Sequence, residues 1–285
     1  TMFWRRFEEL AVATTPLTEG VNPSGKAKTK TDVSATIAAY GDFIEDSDFV
    51  LSTQPDPHAV ENVELLGEQM GRTFDQLYRD TWAGFTNVTY ANGTSTVTVS
   101  QIVDRNDLDR AYRALTGRNA LKFTPMVMAS QNIGTSPIMP AYWAMADEDV
   151  AFDLRHLDGF VLTSEYAAST GVLEGEFGSD KNGIRFLGSS QGYVLPGATG
   201  VTIAATDVIN TGGFADIYSI FIVGRDFGGG VSLAGDNGRV VTQPLGSAGS
   251  ADPLEMRQTM GWKKYDSRAI LNQSFAQEIQ CAASL

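Results

Sequence analysis

The stretch from Pro57 to Ala83 limits what this chain can fold into more than any other. Val60, Val63, Leu66, Met70, Phe74, Leu77 and Thr81 recur at steps of three or four residues, the spacing that gathers side chains on one face of an α-helix. Glu61, Glu64, Glu68, Arg72, Asp75 and Arg79 fall on the other face. Asp56-Pro57 offers an N-cap and a proline at the first helical position, and Gly84 suits the end. A helix of this length would span roughly 40 Å at ~1.5 Å per residue, more than twice the usual ~11–12 residues. Val63, Leu66, Met70, Phe74 and Leu77 are its expected core face. Gly67 and Gly71 lie beside that stripe and would let another backbone come close. Such a helix is a spine for other elements.

What precedes the helix has the opposite character. From Pro16 the chain is turn-rich and poor in large apolar groups, and from Thr29 to Ala38 it alternates with Thr and Val. The pattern predicts a long β-hairpin between Pro16 and Asp48, with Lys26, Lys28 and Lys30 near its tip. Neither arm carries enough apolar side chains for a core, and an isolated two-stranded ribbon is marginal in water. The hairpin should therefore rest on something else, and a neighbouring subunit is the expected support. Lys26, Lys28, Lys30 and Glu19 are its expected contact residues. In front of it, Phe3, Trp4, Phe7 and Leu10 have helix-like spacing and predict a short amphipathic arm over Thr1–Ala13, too short to be stable alone. The chain opens Thr1-Met2, which fits either processing or a sequence that starts inside a longer one.

Beyond the spine, Phe85–Tyr90 and Thr94–Val99 flank Asn92-Gly93, the pattern of a tight hairpin. A helix is expected over Asp107–Leu115. Another should open on Asp147-Glu148-Asp149, whose acids suit a helix N-terminus, and reach Leu157. A short helix is expected over Gly159–Ser169. After Gly171 the chain reads as short strands and turns, in keeping with its 29 glycines. The class is α+β, with no internal repeat.

Several chemistries are excluded by what is missing. The single cysteine, Cys281, allows neither an intramolecular disulfide nor a cysteine-built zinc site. Only His58 and His156 are available as imidazole ligands. There are 21 Lys and Arg against 34 Asp and Glu, a formal charge of −13, which opposes tight charge-driven binding of nucleic acid. No apolar run approaches the ~18–20 residues of a membrane span. Gly188-Ser189-Ser190-Gln191-Gly192 matches the nucleophile elbow of serine hydrolases. That motif needs a helix after Ser190 and a later histidine, and both histidines precede it. Asp226-Phe227-Gly228 imitates a kinase metal triplet without its companion loops. Glu174 and Glu176 would share a face if strand, but lack a sugar-binding platform. His58 falls in the first turn of the long helix, and His156 is placed to cap a helix C-terminus. No catalytic, cofactor-binding or metal-binding set emerges. A protruding hairpin, a spine helix and a glycine-rich body together suit a shell-forming subunit.

In order along the chain stand Leu17-Thr18-Glu19-Gly20, Tyr40-Gly41-Asp42-Phe43 with Asp48, and Leu173 with Gly175-Glu176-Phe177-Gly178 and Arg185-Phe186. Asp252-Pro253-Leu254, Gly261-Trp262-Lys263 and Ile270-Leu271-Asn272 follow. In these pieces the chain resembles the major capsid proteins of tailed bacteriophages, in the branch typified by the N-four-like podophages. Phe177, where an aliphatic is usual, and Arg225-Asp226-Phe227, for the commoner Lys-Asp-Ala, depart from the pattern.

The resemblance implies the Hong Kong 97 fold. It would divide the chain into an N-terminal arm (1–15), an extended loop (16–50), a peripheral domain (51–102 and 246–285) around the spine helix, and an axial domain (103–245). It implies a non-enzymatic subunit without cofactor that assembles with itself into pentamers and hexamers. The icosahedral head would enclose double-stranded DNA held by weak, non-specific contact. A portal protein and scaffolding or cement proteins would be further partners, with no membrane involved. Its place would be the virion shell, after assembly in the host cytoplasm. A tail or decoration protein, a secreted binding protein and a serine hydrolase are the alternatives.

Overall fold

The computed structural model describes residues 1–53, 57–123, 140–166, 172–198, 200, 208–233, 238–247, 249 and 252–285. They form two compact units, one of residues 1–70 and 229–271, the other of residues 71–228 and 272–285. The long helix runs from His58 to Trp82 and contributes to both. Asp56, its expected N-cap, lies outside the described residues.

The first unit is organised by the strand Arg257–Ile270. Ala38–Ser47 pairs with it antiparallel over ten positions, and Arg239–Gln243 and Gly228–Ser232 also pair with it. Met260 and Trp262 point to the face covered by the start of the long helix and are buried. The helix meets this face with Leu66, which is 2% exposed, and with two amides. Gln69 donates to Asp42 Oδ2 (2.6 Å) and accepts from the Trp262 indole (3.0 Å), and the Asn62 amide donates to Asp46. This corrects the expected core face. Val63 is 41% exposed, and Met70 and Leu77 are only half-buried. The helix turns Asn62 and Gln69 toward Asp46 and Asp42 on the sheet, and Val63 falls outside that contact.

The hairpin is also drawn differently. Met2–Phe7 is a strand, not a helical arm, and it pairs antiparallel with Lys30–Ala35, Met2 opposite Ala35 and Phe7 opposite Lys30. Met2, Trp4 and Arg6 alternate with the exposed Phe3, Arg5 and Phe7. That two-residue alternation overrides the helix-like spacing of the apolar residues, because pairing supplies the hydrogen bonds that a short helix would lack. Residues 8–29 form an excursion without strands, so the predicted arm after Pro16 is not a strand.

The second unit is built on an eight-stranded mixed sheet. Its order is Val88–Tyr90, Ala276–Cys281, Ile217–Val223, Tyr142–Asp147, Ile184–Ser189, Glu176–Asp180 and Phe160–Leu162, with Tyr193–Leu195 also pairing with Ile217–Val223. On one face Tyr142, Ala144, Ile184, Phe186, Ile220, Ile222 and Ile279 pack against two helices. The helix Arg105–Gly117 brings Leu108, Ala111 and Leu115, and the helix Glu148–Arg155 brings Val150 and Leu154. The first starts two residues before the expected Asp107, where Asp104 accepts from Arg105 N–H, and the second opens on its acidic run as expected, Asp147 accepting from Asp149 N–H.

Three expectations change here. The Asn92-Gly93 hairpin does not form. Val88–Tyr90 pairs parallel with Glu278–Gln280 instead, while the Thr98 hydroxyl oxygen accepts from Thr94 and Ser95 N–H and closes a 3₁₀ turn over Thr96–Thr98. The predicted helix over Gly159–Ser169 is the strand Phe160–Leu162 and a 3₁₀ turn, its last three residues lying outside the described ones. Finally, Ala276–Cys281, assigned above to a peripheral domain, pairs antiparallel with Ile217–Val223 of the range assigned to the axial one. Conversely Arg239–Gln243, also assigned to the axial range, pairs with Arg257–Ile270.

Candidate functional site

Among the described residues, the ribbon and its excursion are the longest stretch that the fold leaves uncovered. Every residue from Phe7 to Asp32 is exposed. Phe7, Leu10, Val12, Leu17 and Val21 stand among them, Val12 at 83%, and Phe3 before them is exposed too. Apolar side chains spread along an extended segment in water gain nothing from folding alone.

The charges on this segment are held locally. Arg6 donates to the Leu271 carbonyl (2.9 Å) and to Glu8 (2.6 Å), and the Thr31 hydroxyl donates to the same carboxylate. The Arg6 and Thr31 donors hold the Glu8 carboxyl below the ordinary range. Lys30 and Arg5 both reach Asp32, and Lys30 chiefly lowers that carboxyl in the same way. Lys26 donates to the Ala11 carbonyl at 3.1 Å, and the Lys28 ammonium lies 5.8 Å from the centre of the Phe7 ring. Glu19 is exposed beside Gly20, whose φ of +79° favours glycine. The three lysines therefore lie on one exposed segment, and none is enclosed.

A second open feature belongs to the same unit. On the sheet face away from the helix, Ala39, Gly41 and Phe43 meet Val241, Gly261 and Lys263 around a trough of about 430 Å³. The strands approach so closely that a Cβ at Gly41 would lie 2.5 Å from the Trp262 carbonyl oxygen. Gly41 and Gly261 belong to the stretches that carried the resemblance, and close strand approach is the physical reason for glycine there.

The motifs that imitate enzymes do not assemble. Ser190 lies in a turn between the strands Ile184–Ser189 and Tyr193–Leu195, with no helix behind it, and the Ser189 hydroxyl donates to Asp75 (2.9 Å). Glu174 is exposed in a turn while Glu176 is buried. Asp226 sits at φ +66° in a turn beside Arg225. His156 caps the helix Glu148–Arg155 through Nδ1, 2.7 Å from the Phe152 carbonyl, and His58 opens the long helix. Among the described residues no cluster of three His, Cys, Asp or Glu could hold a metal ion.

One buried polar cluster was not foreseen as a cluster, though its ion pair, Glu176 and Arg185, stood in the quoted stretches. Arg185 donates through Nε to Glu176 Oε1 (2.7 Å) and through Nη2 to Glu176 Oε2 (2.5 Å). Tyr166 O–H donates to the same carboxylate (2.8 Å), Leu173 N–H donates to its other oxygen, and the guanidinium lies 4.5 Å from the Trp143 ring centre. An irregular register between Glu176 and Gly178 produces the encounter. Gly178 opposes Phe186, whereas Glu176 opposes Leu187, so the bulge moves Glu176 onto the face of Arg185.

By sequence the chain matches no protein-family model and no curated protein. By structure it is similar to phage capsid proteins. It covers 99% of its length against 83% of the Ralstonia phage GP4 capsid chain, with a TM-score of 0.71 at 11% identity. The capsid of cyanophage P-SCSP1u matches over 99% of this chain and 84% of its own, with a TM-score of 0.61 at 14% identity. The head of Helicobacter pylori bacteriophage KHP40 matches over the same shares at 0.62 and 11%. The mixed α+β fold of this chain is therefore that of phage capsid proteins.

Proposed function

We propose that this chain is a major capsid protein of the Hong Kong 97 type, of the N-four-like podophage branch, and builds a phage head around double-stranded DNA. The likeness to capsid subunits over 99% of the chain carries this reading. An exposed ribbon and excursion with no core of their own add to it. In this reading the unit of residues 71–228 and 272–285 supplies most of the axial domain, whose copies ring into pentamers and hexamers. Residues 1–35 and the strand after them act as arm and extended loop, and Lys26, Lys28, Lys30 and Glu19 touch a neighbouring subunit. The net charge of −13 lets a packaged genome slide past the shell with little adhesion. Portal, scaffolding and cement proteins are the further partners, and the virion shell, assembled in the host cytoplasm, is its place.

No reaction is asked of the subunit. Amide cross-links between subunits would need a lysine held neutral by burial and a desolvated acid beside it, and the exposure of Lys26, Lys28 and Lys30 argues against that. The shells should be non-covalent. Electron microscopy of the purified protein, alone and with the other head proteins, tests the reading: closed shells are expected. Tubes, tail-like rings or persistent monomers would overturn it. Boiled shells should give one monomer band on a denaturing gel, and a ladder surviving reductant would refute the non-covalent part.

A further inference from the structure

Two glutamates are buried on the same face of the eight-stranded sheet, and only one has a cation. Glu176 is enclosed with Arg185. Glu278, on the strand Ala276–Cys281, is 2% exposed, and among the described residues no ion pair reaches it. Its side chain accepts from the Ser219 hydroxyl at 2.7 Å and from the Gln280 amide at 2.8 Å, both on Oε1. Gln280 in turn accepts from Thr96 O–H (2.7 Å), which fixes its amide so that nitrogen points at Glu278. Both partners are neutral, so the carboxyl has hydrogen bonds but no compensating cation. A bare carboxylate so deeply buried with no cation would be costly.

We infer that Glu278 is seated as a neutral carboxylic acid and acts as a proton-operated lock on the C-terminal strand, closed while protonated and loosened when it ionises. The strand it sits on holds Val88–Tyr90 on one side and Ile217–Val223 on the other, so its loosening would open the sheet at that point. The other titratable and charged groups over this face are engaged elsewhere. Asp75 takes the Ser189 hydroxyl, Arg79 donates to the carbonyls of Gln191 and Gly192 beside the Tyr193 ring, and Arg185 is held by Glu176. None supplies charge to Glu278. Burial raises its carboxyl above the ordinary range, with the two hydrogen bonds opposing less strongly.

The sign follows from linkage. Below the ordinary glutamate range the folded and unfolded chains are both protonated at this position, and it makes no difference to stability. As pH rises, the unfolded chain ionises first, so stability falls until Glu278 itself ionises. Asp147, buried and also raised, contributes in the same direction, but it is common to wild type and a Glu278 variant. Glu278→Gln keeps the shape and cannot ionise. It should melt about 2–4 °C above wild type at pH 8 and equal it near pH 4. Amide hydrogen exchange in residues 276–281 should rise with pH beyond the chemical rate in wild type only. Infrared spectra of the wild-type protein at pH 7 should carry a protonated-carboxyl band that Ser219→Ala shifts. An ionised Glu278 at pH 7, or parallel pH profiles for wild type and Glu278→Gln, would overturn the inference. The infrared arm decides the question even if the glutamine variant fails to fold.

Discussion

The eight-stranded sheet and the N-terminal ribbon both depend on charged side chains, but they place them in opposite surroundings. In the sheet, Glu176 and Arg185 are fully enclosed and satisfy one another with two hydrogen bonds, a tyrosine and an aromatic face. In the ribbon, Arg5, Lys30 and Asp32 meet in water, more than two-fifths exposed each. Enclosure makes the first pair expensive to break, since either partner alone is a stranded charge. Solvent makes the second nearly free to rearrange, because exposed pairs are screened and constrain long side chains. One region is finished by its own fold. The other holds its shape lightly.

The comparison breaks most readily at Arg185. Arg185→Met should destabilise the subunit by about 3–5 kcal/mol in chemical denaturation, because Glu176 stays buried without its cation. Replacing both, with Glu176→Leu added, should recover much of that loss. An Arg185→Met variant as stable as wild type would mean that the pair is far more hydrated than its geometry indicates.

The long helix sharpens the comparison within one element. Leu66 is buried against the sheet of the first unit, while Val63, three residues earlier, is exposed. Leu66→Ala should cost about 2–5 kcal/mol, whereas Val63→Ala should stay within about 0.5 kcal/mol. Equal losses would place Val63 back in the core. The pair also shows how far the sequence could be read. Periodicity located the helix to within a residue or two, because a step of three or four is a local property. Its rotation shows only in contacts with a distant strand, where Asn62 and Gln69 meet Asp46 and Asp42, and no local spacing displays these.

The same limit explains the other differences. Asn92-Gly93 is strong hairpin chemistry, yet Val88–Tyr90 finds its partner at Glu278–Gln280, near the other end of the chain. Glu176 and Arg185 both stand in stretches quoted for the resemblance, but the bulge that brings them together appears only when the two strands are paired. The helix start at Asp147 was legible because capping is a matter of neighbouring residues, whereas the cap at Asp104 was passed over for a start at Asp107. The ribbon was legible as a segment without a core, but its partner strand was misplaced: Met2–Phe7 takes the position predicted for the residues after Pro16.

The smallest effect on folding is expected at the excursion itself. Residues 8–29 bury nothing of their own, and Lys26, Lys28 and Lys30 make one contact each, to a carbonyl, a ring and a nearby carboxylate. Replacing the three lysines with Gln should leave the melting temperature within about 1 °C, since substitutions on an open surface shift stability by only tenths of a kcal/mol. If the subunit-contact reading is right, the same variant should assemble poorly, and wild-type assembly should weaken with added salt as the lysines are screened. The two readouts separate the alternatives. Loss of stability would mean that the excursion is part of the fold, contrary to its exposure. Normal assembly at every salt concentration would leave the lysines as solvated loop charges and move the contact to the apolar side chains between them. Leu10, Val12, Leu17 and Val21 would then be the residues to change, with the same expectation of an intact subunit that no longer closes a shell.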